Sequence, residues 1–207
     1  LDLSSLHLFS FELAAKYHPL EKGMVLPKDC LLPDLQSWCK EEGFADVFFG
    51  WSEEGILINV EVKESFSQVE YPEYSSGDSI EIFIDTRDLK SAKTVSKFCH
   101  HFYFLPAVPK EGLQCGEITR FRLDEEGRPL CSPEELTVSV KKNDKNTSVR
   151  LFIPQNCLYG FDTQQIDMIG FSYLIHSKGL KKSQCFSVDP QDFNVAQVPS
   201  LWATLTL

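Results

Sequence analysis

Gly77-Asp78-Ser79-Ile80-Glu81-Ile82-Phe83-Ile84-Asp85-Thr86-Arg87-Asp88 is a turn signal followed by strict alternation and then a polar cluster. The alternation predicts a strand, because successive side chains on a strand face opposite sides of a sheet. Ile80, Ile82 and Ile84 then form a core face. Glu81, Phe83 and Asp85 form the other face, which carries carboxylates.

Similar segments recur on both sides. Ala45 to Trp51, a Ser52-Glu53-Glu54-Gly55 turn and Ile56 to Lys63 read as a hairpin. Its core face is Ile56, Ile58, Val60 and Val62, with Asn59, Glu61 and Lys63 outward. Phe98 to Leu105 reads as a strand ended by Pro106, with Phe102 and Phe104 inward and His101 and Tyr103 outward. Residues 106–134 are dense in Pro and Gly and read as irregular connection, with one short strand near Ile118 to Leu123. A second hairpin is expected from Leu136 to Val140 and Val149 to Ile153 across Lys142 to Asn146. Met168 to His176, Cys185 to Val188 and Leu201 to Leu207 complete the set, and Leu6 to Leu13 enters the core as a strand. Only Pro33 to Cys39, as one or two turns, and Pro154 to Gly160, as a single turn, suggest helix. Recurring strands without alternating helices indicate an all-β, antiparallel two-sheet sandwich, jelly-roll-like.

The chain has 207 residues, 43% of them hydrophobic, enough for one sandwich domain spanning residues 1–207. A net charge of −10 argues against nucleic acid and against an anionic membrane surface. The short basic cluster Lys178, Lys181 and Lys182 reads as a solvated loop. No apolar run approaches the roughly 20 residues that span a bilayer, so a soluble chain is expected. The seven Cys residues are scattered and odd in number, with no C-x-x-C pair. They read as free thiols, which places the chain in the cytoplasm or another reducing compartment. Asn146-Thr147-Ser148 matches a glycosylation sequon without other signs of secretion.

The hairpin Gly50 to Val62, followed by Asp78 to Asp85, resembles the family 9 carbohydrate-binding modules and the wider DOMON-like sandwiches. Leu151 to Pro154, Gly170 to Tyr173 and Pro199 to Leu205 resemble the second half of that module. Phe98 to Phe102 and the closing stretch are still more similar to an uncharacterised bacterial family of this fold. The resemblance implies a non-catalytic sandwich that binds the end of a sugar chain between aromatic rings. By position it matches the family's site carboxylate to Glu81, and its site arginine falls at or near His101. The family's clamp tryptophan before the carboxylate strand has no counterpart, with Tyr74 and Ser75 in its place. Phe186 or Phe193 stands where the second clamp tryptophan is expected.

From the residues themselves, Glu61, Lys63, Glu81, Asp85, His101 and Tyr103 can share one polar face, with Tyr71 and Tyr74 overhead. The alternative is an ordinary solvated face. Asp85, Arg87 and Asp88 read as an ordered turn or as two carboxylates toward calcium, the turn being favoured. Arg87 is counted with the candidate ligand-binding set beside Asp85, and Phe193 joins it through the resemblance. Cys99 and His101 share a face but lack a second Cys/His pair, which favours a buried thiol beside a satisfied histidine over zinc. Haem would need a His and Met pair, and Met24 and Met168 are the only methionines. No cofactor or metal is therefore expected. Trp38, Trp51 and Trp202 read as core. No nucleophile elbow, phosphate loop or H-E-x-x-H helix is present, although Glu61 with Glu81 can imitate a glycosidase pair. The expectation is a saccharide-binding domain and not an enzyme. The alternative is a protein-interaction or structural sandwich that has lost the sugar site.

Overall fold

The computed structural model describes residues 9–19, 24–36, 42–121, 127–143, 145–188 and 193–207. Its strands are β1 (Glu12–Ala14), β2 (Lys16–Tyr17), β3 (Ala45–Ser52), β4 (Gly55–Val62), β5 (Ser79–Asp85), β6 (Cys99–Phe104), β7 (Cys115–Glu117), β8 (Thr137–Lys142), β9 (Thr147–Pro154), β10 (Met168–Ser177), β11 (Lys182–Cys185) and β12 (Ala203–Thr206). Among the described residues the helical elements are single 3-10 turns, such as Tyr74–Ser76 and Gln155–Cys157. None of them is long and apolar enough to cross a membrane.

The strands form two sheets. One runs β1-β12-β10-β5-β6-β7, with β11 also paired to β10; the other runs β2-β3-β4-β9-β8. Pairing is antiparallel except at β1–β12 and β2–β3, which are parallel. The alternation of β5 decides how the sheets meet. Ile80, Ile82 and Ile84 are fully buried in the main core with Ile56, Ile58, Val60 and Val62 of β4. Phe49 on β3 meets Phe171 on β10 edge to face across the layers, with centroids 4.9 Å apart.

Turn chemistry fixes the register of the first hairpin. Gly55 has φ +143°, and a Cβ there would lie 2.3 Å from the Ile153 carbonyl oxygen, so only glycine fits. Asp78 positions β5 from its N-terminal side. Its Oδ2 accepts from the Ser67 and Gln68 amides at 2.6 Å each, and its Oδ1 accepts from the Lys178 amide at 2.8 Å.

Several expectations change. Glu61 and Lys63 do not share a face with Glu81: Glu61 lies on β4, in the other sheet, and Lys63 directly follows that strand. Nearest-neighbour alternation orients side chains but does not say which strands share a sheet. Asn59 points away from the main core but is only 1% exposed. Its sheet face carries a further apolar cluster in which Leu26 and Cys30 pack on Leu57 and Phe152. The strand expected near Ile118 is β7, a few residues earlier, and that expected at Cys185 to Val188 is β11 and ends at Cys185. Residues 6–8 of the first expected strand and 37–39 of the first expected helix, Trp38 among them, lie outside the described residues.

The cysteine reading also changes. Cys131 and Cys157 form a disulfide, while Cys30, Cys99, Cys115 and Cys185 are free and buried. The bridge joins the segment after β7 to the 3-10 turn after β9, a long-range contact that cysteine spacing does not announce.

Candidate functional site

β5 lies between β10 and β6, so its outward face becomes the middle of a three-strand floor. Glu81 is paired in register with Leu174 on β10 and Tyr103 on β6. His176, two residues after Leu174, and His101, two before Tyr103, occupy the same face, diagonal to Glu81 on either side. Both imidazoles converge on the carboxylate. His101 Nε2 lies 2.5 Å from Glu81 Oε2, and His176 Nε2 lies 2.7 Å from Oε1. His176 Nδ1 is in turn 2.8 Å from Ser183 Oγ on β11. An ionised carboxylate only accepts hydrogen bonds, so each ring donates to Glu81 through Nε2. His101 Nδ1 has no partner among the described residues.

Glu81 is 5% exposed. Burial by itself would raise its pKa, but hydrogen bonds from His101 and His176, with their charges, outweigh burial and bring it down to about 2. It is therefore a carboxylate at every physiological pH. A glycosidase general acid needs the opposite shift, and its partner in that reading, Glu61, accepts from Ser148 Oγ in the other sheet.

Above this floor is a cavity of about 920 Å³. Phe83, beside Glu81 on the same face, lies 4.4 Å from the His101 ring and 5.7 Å from Trp202 between centroids. Trp202 is buried, and its Nε1 donates to the Val195 carbonyl at 2.8 Å, which pins the 193–198 segment as one wall. Tyr74 is on another wall and stacks on Tyr103 with centroids 5.3 Å apart and planes 11° apart. Burial and then the Glu81 charge push the Tyr74 hydroxyl up to about 12, so it stays a neutral donor.

The expected site residues thus separate into three groups. Glu81, His101, Tyr74 and Phe193 line the cavity. Tyr103 is 4% exposed behind Tyr74 and donates to the Leu113 carbonyl, while Tyr71 is 41% exposed with its ring 6.2 Å from Tyr103. Both support the wall instead of lining it. Asp85 and Arg87 are elsewhere. Asp85 accepts from the Arg87 amide at 3.0 Å and the Leu89 amide at 2.9 Å, closing the turn after β5. Arg87 donates to the Gly160 carbonyl and lies 4.9 Å over the Phe98 ring.

His176, Lys93, Arg120, Phe83 and Trp202 line the cavity without having been singled out from the sequence. The alternation of Ser172, Leu174 and His176 was a usable signal, but nothing local paired their strand with Glu81. His100 was missed differently. It faces inward, fully buried, and its Nδ1 lies 2.8 Å from Glu117 Oε1. Glu117 also accepts from Arg128, at 3.0 Å for Nη1, and from the Cys131 amide at 2.7 Å. Burial keeps His100 neutral by lowering its pKa.

Cys99 is a buried thiol whose pKa burial raises to about 11, with Sγ 3.7 Å from Ser96 Oγ, and His101 is held by Glu81. Among the described residues, the only group of three metal-ligating side chains is Cys131, Glu135 and Cys157, within 4.8 Å of one another. The disulfide uses both of its thiols.

No family model matches the chain, and no curated protein matches it. Solved structures do. A family 9 carbohydrate-binding module from Caldicellulosiruptor kristjanssonii in complex with glucose is 15% identical, with a TM-score of 0.60 over 95% of each chain. The same kind of module from that organism in complex with cellotriose is 15% identical, with a TM-score of 0.58 over 95% of this chain and 93% of that one. A protein from Bacteroides uniformis ATCC 8492 is 9% identical, with a TM-score of 0.57 over 96% and 99%. The chain has the β-sandwich fold of the family 9 carbohydrate-binding modules.

Proposed function

We propose that this chain is a non-catalytic saccharide-binding protein whose site is the cavity over β10, β5 and β6. The observation that carries this reading is the His101–Glu81–His176 group on the cavity floor. It is a permanently ionised carboxylate fixed by two imidazoles in a concave space bordered by Tyr74 and Phe193. Sugar hydroxyls need fixed donors and acceptors, and sugar C–H faces need aromatic surface. Glu81 supplies lone pairs, His101 Nδ1 a free ring nitrogen, and Tyr74 both a ring and a hydroxyl. The low pKa of Glu81 suits it for accepting hydrogen bonds and unsuits it for proton donation at neutral pH. Structural neighbours that bind glucose and cellotriose support the same assignment.

A glycan array probed with the purified chain and with Glu81→Gln tests the reading. Saturable binding to a saccharide class, lost or weakened at least tenfold in the variant, is the expected outcome. Undiminished binding by folded Glu81→Gln protein would refute the site.

A further inference from the structure

The charge around the cavity runs against the charge of the chain. Asp and Glu outnumber Lys and Arg 30 to 20 in the sequence. Among the described lining residues Glu81 is the only carboxylate, whereas Lys93 and Arg120 both line the cavity. Both oxygens of Glu81 are already engaged by His101 and His176. Lys93 comes from the connection between β5 and β6, and Arg120 from the segment that follows β7. Both are exposed, and neither makes an ion pair with a described residue. Arg120 also acts on the site electrostatically, since its charge opposes the rise in the Tyr74 pKa.

We propose that the saccharide taken by this cavity is acidic: a hexuronate unit whose carboxylate docks against Arg120 and Lys93 while its ring lies toward Tyr74. The inference rests on the saccharide reading given above and deepens it. A carboxylate matches the planar fork of an arginine, which presents two parallel N–H donors, and a nearby lysine adds a point charge. A chain of net charge −10 repels anions over most of its surface, so local cations at one concave site confer selectivity that the global field opposes. A neutral sugar gains nothing from either cation.

Matched pairs of ligands test this by calorimetry on the intact chain: glucose against glucuronate, and cellotriose against its counterpart ending in a uronate. At low ionic strength the acidic member is expected to bind about tenfold more tightly, and the advantage shrinks as the Debye length contracts with added salt. In a Lys93→Gln, Arg120→Gln double variant the acid-to-neutral affinity ratio falls to about one. Both side chains are exposed, so thermal melting should confirm that the variant folds. Equal affinity for both members, or a ratio that survives in the variant, would overturn the acidic preference while leaving the saccharide site standing. Preference for glucose 6-sulfate over glucuronate would overturn the carboxylate assignment. Binding of none of these ligands would overturn this inference, and a blank glycan array as well would overturn the saccharide reading with it.

Discussion

Glu81 and Glu117 are two buried carboxylates with three histidines among their partners, and they do different work. Glu81 is held on the cavity side by His176 and by His101, whose Nδ1 has no partner among the described residues; Glu117 is closed off among His100, Arg128 and the Cys131 amide. Removing Arg128 leaves the Glu117 charge uncompensated in the interior, and Arg128→Met should cost about 3–5 kcal/mol, read from urea melts. His101→Ala removes part of the cavity floor, and sugar affinity should fall at least tenfold with the fold retained in thermal melts. Asn59 presents the inverse case. Its side chain is buried with no hydrogen-bond partner for either Oδ1 or Nδ2 among the described residues. Asn59→Leu removes an unpaired amide from an apolar surrounding, and we expect a gain of about 1 kcal/mol, seen as a melting temperature a few degrees higher. The sequence showed Glu81 and His101 as outward residues of neighbouring strands. It could not show the burial of Asn59, because burial on an outward sheet face depends on what crosses over that face, whereas His100 shares the inward alternation of Phe102 and Phe104.

At the scale of elements, β5 fixes the site by its ends and its neighbours. Asp78 ties its start to the 67–68 loop and to Lys178, and Asp85 closes the turn that follows. Asp85→Ala should therefore destabilise by about 1–2 kcal/mol through two lost amide acceptors, with sugar affinity essentially unchanged in a parallel titration. A large loss of affinity would put Asp85 back into the site. The hairpin β3–β4 and the strand β5 were legible because alternation and turn residues are local signals. The pairing of β10 with β5 was not, and with it His176 went unnoticed. The Cys131–Cys157 bridge was hidden for the same reason: 26 residues and a β-hairpin separate the partners.

For the whole molecule, the buried ionisable groups set the acid limit of stability. Glu81 and Glu117 are each brought to about 2, well below the ordinary glutamate value near 4.3, because hydrogen bonds and charge outweigh burial. A carboxylate lowered in the native state stabilises above its unfolded pKa, and that contribution is lost as pH falls toward the folded one. His100, lowered by burial, acts in the same direction but earlier, since the unfolded chain begins to take up its proton near pH 6.5. Stability should thus be full above about pH 7, decline as His100 of the unfolded chain takes up its proton, and fall steeply from about pH 4.5 downward. Glu117→Gln should make the steep limb shallower in melts recorded across pH. The two-sheet architecture itself was readable from strand recurrence, whereas the cavity arises from three strands and two connections meeting above one face. The five histidines of this chain offer the most direct view of that cavity. In ¹⁵N imidazole NMR spectra recorded while glucuronate, glucose or cellotriose is added, the account predicts saturable shifts of His101 and His176, with His100 unmoved. Saturable binding that leaves both of those rings unchanged would contradict it.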